Sequence, residues 1–176
     1  MIYLFLADGF EEVEAVGTYA ILERGGVDVD IYSLKDKDAT GRFGLTCTKL
    51  EKFSELDPEE YDAIIFPGGP QHVEVGKNER VHELIRIFTD ADKYVCAICA
   101  SPTILGKAGY LKGKKYTCFT SMNQDFGGEY IDEYVCTDGK LITGRSAAAS
   151  IDFGFEILKA LKGEEQEKKT KAEIYY

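Results

Sequence analysis

Tyr94-Val95-Cys96-Ala97-Ile98-Cys99-Ala100-Ser101-Pro102-Thr103-Ile104-Leu105 is the stretch that decides the fold. An apolar run of strand type ends at a cysteine, small residues and a proline follow, and a helix-compatible segment begins. In open α/β sheets ligands bind just beyond the carboxyl ends of the strands, so this order places Cys99 in that crevice. A helix starting directly after it aims backbone N–H groups and the positive end of its dipole at the sulfur. Such surroundings are expected to favour thiolate, the reactive form of cysteine. The pattern is a nucleophile elbow with cysteine in place of serine. Set against it is the plain alternative of a small buried hydrophobe, the usual fate of a free cysteine.

Cys96 falls inside the strand and reads as core. Cys96-Ala97-Ile98-Cys99 also has dithiol spacing. In an extended chain, however, its two Cα atoms stand about 10 Å apart, beyond the roughly 7 Å that a disulfide spans. A lone C-x-x-C is thin support for zinc as well.

Outward from the elbow, the chain alternates strand and helix signals. Ile2–Leu6 is an apolar run, followed by Ala7-Asp8-Gly9. Asp8 or Gly9 is placed to cap a helix from about Glu11 to Glu23, with Val13, Val16, Ala20 and Ile21 near helical spacing and Gly25-Gly26 beyond. Val27–Ser33 alternates as a second strand, and Lys35–Arg42 reads as a polar turn region. Phe43–Lys49 reads as a weak edge strand, and Tyr61–Phe66 as a buried strand stopped by Pro67-Gly68-Gly69-Pro70. Asn78–Thr89 has helical spacing, and Lys115–Phe119 is a short strand. Val135–Thr143 is a hairpin around Asp138-Gly139. Ala147–Leu161 is a last long helix, with Ile151, Phe155, Leu158 and Leu161 on one face. The order predicts parallel strands with helices on both faces, a three-layer α/β/α sandwich with a mainly parallel sheet. A single domain over 1–163 is expected, with 164–176 as a charged tail in which Ile174-Tyr175-Tyr176 could dock.

The totals bound the function. The 176 residues allow one domain with a sizeable core. A formal charge of −10 argues against a nucleic-acid surface, which needs a basic face. No apolar run approaches the roughly 20 residues that span a bilayer. The start, Met1–Asp8, lacks the basic leader of a signal peptide, so a cytoplasmic location is expected. Five cysteines at positions 47, 96, 99, 118 and 136 read as free thiols in a reducing compartment.

Three loops should open on one edge of the sheet. Asp8–Glu14 brings carboxylates, with Glu11 and Glu14 sharing a helix face and Glu12 pointing elsewhere. A carboxylate beside a thiolate is repelled unless protonated, and a protonated one donates a hydrogen bond to sulfur and passes a proton to substrate. The simpler reading is first-turn acids favoured by the helix dipole. Pro67–Pro70 brings Gly68 and Gly69, whose backbone N–H groups could face an oxyanion, or which merely end a strand. Cys99–Pro102 brings the sulfur. The two histidines do not supply a base: His72 reads as a loop residue near the glycines that is more simply solvated, and His82 as an exposed helix position.

Taken together, Asp8-Gly9-Phe10-Glu11-Glu12-Val13-Glu14, Phe66-Pro67-Gly68-Gly69 and Ala97-Ile98-Cys99-Ala100-Ser101-Pro102 resemble the ThiJ/PfpI superfamily, and within it the DJ-one deglycase branch. Leu141–Arg145 and the last helix also fit, so the resemblance runs to about Gly163. It implies a flavodoxin-like fold of the class I glutamine amidotransferase type, with Cys99 as an oxidation-sensitive nucleophile. It further implies Glu14 as a protonated carboxyl bonded to Cys99, Gly69 and Ala100 as backbone donors, and Glu11 as a structural acid. The implied activities are glutathione-independent glyoxalase or deglycase chemistry on a small aldehyde or a glycated thiol or amine, or oxidative-stress sensing and chaperoning. No cofactor or metal is implied, and homodimers are common in the family. Two departures matter. Ala100 stands where the peptidase-like branch has histidine, which argues against peptidase activity. Cys118 stands where the closer branch often has one, leaving a disulfide partner, a metal ligand or a buried spectator as its role. Ser146-Ala147 also replaces a common Gly-Pro pair after Arg145.

Overall fold

A computed structural model describes all 176 residues. In chain order the elements are β1 (Ile2–Leu6), α1 (Glu12–Arg24), β2 (Val29–Ser33), β3 (Asp38–Thr40), β4 (Thr46–Thr48), β5 (Glu51–Lys52), β6 (Ala63–Phe66), α2 (His72–Val75) and α3 (Glu79–Asp90). They continue with β7 (Tyr94–Ile98), α4 (Pro102–Lys107), β8 (Lys115–Tyr116), β9 (Glu129–Tyr130), β10 (Val135–Asp138), β11 (Leu141–Gly144), α5 (Ser150–Lys162) and α6 (Glu164–Glu173). The central sheet has the order β10-β11-β7-β6-β1-β2-β5, parallel throughout except for the β10–β11 hairpin.

The apolar runs are continuous because both faces of the sheet are covered. Tyr3 and Phe5 of β1 point into one core with Leu84, Ile85 and Phe88 of α3 and Leu105 of α4. Ile2, Leu4 and Leu6 point into the other, with Ile21 and Leu22 of α1 and Phe153, Ile157 and Leu158 of α5. Alternate side chains thus feed opposite layers, and the mainly parallel three-layer α/β sandwich is present.

Four expectations are corrected. Phe43–Lys49 is not an edge strand of this sheet: only Thr46–Thr48 is extended, and it pairs with Asp38–Thr40 as a separate two-stranded ribbon. Lys115–Phe119 contributes only β8, paired with β9 outside the main sheet. Asp8 does not cap α1. Its carboxylate accepts the Thr40 N–H at 3.1 Å and pairs with Lys35 at 3.1 Å, which ties the ribbon down, while Glu11 occupies the cap position. Within α1, Val13 and Val16 are exposed, and Glu14, Ala15, Thr18, Ile21 and Leu22 are the buried face. Beyond these four, the charged segment from Glu164 forms α6, which lies on α5 with Thr170 buried, and the Tyr176 ring packs on Phe155 at 5.0 Å.

Candidate active site

The elbow forms as its sequence suggests, under strain. Cys99 has φ +64°, in the left-handed region that a side chain other than glycine's disfavours. Backbone bonds on both sides hold it there: Cys99 N–H donates to Gly144 O at 2.9 Å, and Phe119 N–H donates to Cys99 O at 2.8 Å. The turn throws the half-buried thiol out of the sheet, with α4 starting three residues later. The N–H groups of Ala100 and Gly69 face the sulfur and favour its charged form.

Glu14 reaches the same place from α1. It is fully buried, and its Oε2 accepts the Gly68 N–H at 2.7 Å. Its Oε1 is buried without a donor. A buried carboxylate oxygen left unbonded is costly, and protonation turns the group into a donor. Burial raises Glu14 to about 7, against the pull of its hydrogen bonds to Cys99 and to Gly68 N–H. Nearby Glu11 pushes it further up, and Arg42 holds it back.

The depressed thiol pKa expected at the elbow is corrected here. Burial first, then the negative charge of Glu14 and its hydrogen bond with the thiol, push Cys99 well above the ordinary thiol range, and the Ala100 and Gly69 N–H groups only partly oppose them. The upward push of Glu14 exists only while that carboxyl is ionised. The two groups therefore behave as one coupled site, which loses its first proton at about pH 7. With the proton on Glu14, the repulsion disappears and its O–H becomes a donor to sulfur.

The glycines are required by close approach. A Cβ on Gly68 would lie 2.7 Å from the Cys99 Cβ and 2.9 Å from Ile98 O. Gly69 has φ +88°, and a Cβ there would meet Gly9 O at 2.5 Å and Glu11 N at 2.6 Å. Glu11 N–H donates to Gly68 O at 3.1 Å, which locks the first and second loops. The Glu11 side chain pairs with Arg42 at 3.2 Å and does not face the sulfur, in keeping with a structural acid. Glu12 points away, accepting Phe43 N–H at 2.6 Å from the ribbon.

Residues that carried no local signal complete the frame. The Pro67 carbonyl accepts two hydrogen bonds, from Ser101 Oγ at 2.7 Å and from Gln71 Nε2 at 2.7 Å. Gln71 Oε1 in turn accepts Ala7 N–H at 2.7 Å. One acceptor and one buried amide thus pin all three loops together. His72 is half-buried with its Nδ1 bonded to Gly69 O at 2.9 Å, and His82 Nε2 bonds to Gly76 O at 2.8 Å, so neither is a free surface histidine.

Cys118 is buried in the core layer that also holds Tyr116 and Leu105, and burial raises it to about 11. No three or more His, Cys, Asp and Glu side chains converge as a metal site anywhere in the chain. All five cysteines are unbridged.

A mainly parallel α/β sheet that presents a strained cysteine against a buried carboxyl defines a cysteine-elbow protein of flavodoxin-like fold. The chain belongs to the DJ-1/PfpI family, whose model matches residues 1–160. It is 36% identical over 163 residues to the Pyrococcus furiosus protein named deglycase PfpI, covering 90% of this chain and 98% of that one. A deglycase of Pyrococcus horikoshii is 34% identical over 163 residues, with the same coverage. The crystal structure of Drosophila melanogaster DJ-1beta superposes with TM-score 0.92 at 26% identity, covering 99% of this chain and 96% of that one. Oxidized Toxoplasma gondii DJ-1 matches with TM-score 0.92 at 25% identity, covering 99% and 97%.

Proposed function

We propose that the protein is a cysteine-dependent enzyme for small reactive carbonyls, of the glutathione-independent glyoxalase or deglycase type. The observation that carries this reading is the placement of Glu14, a fully buried carboxyl that stands beside the Cys99 side chain against Gly68, with burial raising it to about 7. The names of the deglycase relatives support it.

With methylglyoxal, the Cys99 thiolate adds to the aldehyde carbon and the Glu14 proton passes to the developing alkoxide, giving a hemithioacetal. Gly69 and Ala100 N–H groups, which favour a charged sulfur, would serve as donors to that charge. The Glu14 carboxylate then removes the proton from the former aldehyde carbon and returns it to the adjacent carbonyl carbon through an enediol. The product is a lactoyl thioester, with no net oxidation. Water cleaves the thioester, releasing lactate and the thiol. One carboxyl near pKa 7 can serve as acid and base in turn, so the missing histidine is not needed for the balance.

The test is lactate formation from methylglyoxal by the purified protein without glutathione or added metal. Wild type is expected to turn over, Cys99→Ser to be inactive and Glu14→Gln to retain under about 1% of the rate, the usual order for loss of a general acid–base group. Absence of turnover in wild type overturns the reading.

A second reading rests on the same two N–H donors. They and a protonated Glu14 are placed to stabilise a Cys99 sulfinate, so a peroxide sensor without fast turnover would use this site too.

We also propose a cytoplasmic homodimer. The free thiols favour a reducing compartment, and no helix is long and apolar enough to cross a membrane. Val13 and Val16 on α1 are 45% and 43% exposed, and Phe43 and Leu45 of the ribbon tip beside it are 76% and 50% exposed. Together they form an apolar surface suited to a second copy.

A further inference from the structure

One exposed aromatic side chain borders the turn that carries the sulfur. Phe119 N–H donates to Cys99 O at 2.8 Å, and bonding of this kind sets two backbones about 5 Å apart. Tyr116 and Cys118 both enter the core layer of α3 and α4. The alternation of an extended segment therefore turns Phe119 the opposite way. Cys99 packs on that opposite layer, to which α1 belongs. The Phe119 side chain is part of neither core and is 42% exposed.

The segment that carries this ring is fastened on both sides. Thr120 Oγ1 and Tyr130 OH share a hydrogen bond of 3.1 Å. Tyr130 OH donates to Asp132 Oδ1 at 3.4 Å, and Arg145 pairs with the same oxygen at 2.9 Å. Arg145 follows Gly144, whose carbonyl accepts the Cys99 N–H at 2.9 Å. The contacts thus leave the elbow through Phe119 and return to it through Arg145. A fixed apolar ring half in water beside a reactive sulfur sheds its hydration when an apolar group covers it, and loses little freedom in doing so. A flat aromatic group gains the further attraction of paired rings.

We propose that Phe119 is a specificity-determining residue of the Cys99 site. It seats the non-reacting end of the substrate and favours 2-oxoaldehydes whose ketone bears an aromatic ring over methylglyoxal. This preference rests on the carbonyl-enzyme reading of the site and names which carbonyls it takes. The reaction is unchanged. Sulfur adds to the aldehyde carbon, the proton moves from that carbon to its neighbour, and water releases the 2-hydroxy acid, which is mandelate from phenylglyoxal. The aromatic group stays on the neighbouring carbon throughout.

The test measures kcat/KM for phenylglyoxal and for methylglyoxal with wild type, Phe119→Ala and Phe119→Tyr. Phe119→Ala is expected to lower the phenylglyoxal value about tenfold more than the methylglyoxal value, the scale of one aromatic pair with its buried area. Phe119→Tyr is expected to keep the wild-type ratio. Comparing ratios between variants cancels the different intrinsic reactivities of the two aldehydes. A second readout needs no turnover: Cys99 alkylation by 2-iodo-N-phenylacetamide relative to iodoacetamide, a ratio expected to fall about tenfold in Phe119→Ala. Absence of turnover in wild type would strike the enzyme reading, and the alkylation ratio alone would then decide the role of Phe119. A ratio that Phe119→Ala leaves unchanged, whether both rates hold or both fall together, would overturn the proposal.

Discussion

Glu14 keeps its proton over a range in which an unfolded chain has lost it. Its pKa rises from 4.5 to about 7, mainly through burial. Between those values the folded state binds the extra proton, so the Glu14 contribution to stability is greatest below pH 4.5, declines as pH rises and is lowest above pH 7. Two and a half units correspond to roughly 3 kcal/mol. Glu14→Gln, which resembles the protonated acid, should therefore raise the melting temperature at pH 8 and leave it nearly unchanged at pH 4; equal effects at both would contradict the assignment. The same shared proton predicts that Cys99 alkylation by iodoacetamide rises through about pH 7 in wild type. In Glu14→Gln that inflection should move above the ordinary thiol range, because burial still opposes the thiolate and no carboxyl remains to donate to it.

Among the elements, the three loops act as one frame because their hydrogen bonds converge. Ser101→Ala removes one of two donors to Pro67 O and should cost about 1 kcal/mol, while Gln71→Ala leaves the buried Ala7 N–H unpaired and should cost more, roughly 1–3 kcal/mol. Chemical denaturation would rank them, and an order with Ser101→Ala the worse would contradict the frame. Gly68→Ala pushes a methyl into the Cys99 side chain and Ile98 O, and should suppress thiol alkylation even if the chain folds. The loops themselves were legible, since each is an abrupt change from an apolar run to Gly, Pro, Asp or Cys. Their clips were not: Ala7 and Gln71 lie 64 residues apart and Pro67 and Ser101 lie 34 apart, and no local pattern announces such a bond. Helix α1 misled for a related reason. Periodicity selects Val13 and Val16, but the face turned inward is the one carrying Glu14 to its loop, and the valines are left outside. The β3–β4 ribbon was obscured because its extended segments are three residues each.

For the molecule as a whole, the carboxyl edge of the parallel strands gathers the three loops that hold the thiol. The exposed valines of α1 predict that Val16→Asp shifts a homodimer towards monomer in sedimentation equilibrium, whereas a wild-type monomer would remove the dimer proposal. Closing the chain at Gly163 would strip α6 from α5 and expose Phe155, lowering the melting temperature by several degrees. The left-handed backbone at Cys99 has a consequence of its own. A glycine there would relax the turn, so Cys99→Gly should melt higher than Cys99→Ala, by an amount near 1 kcal/mol. Backbone strain is thus tolerated at the position that turns the thiol out of the sheet.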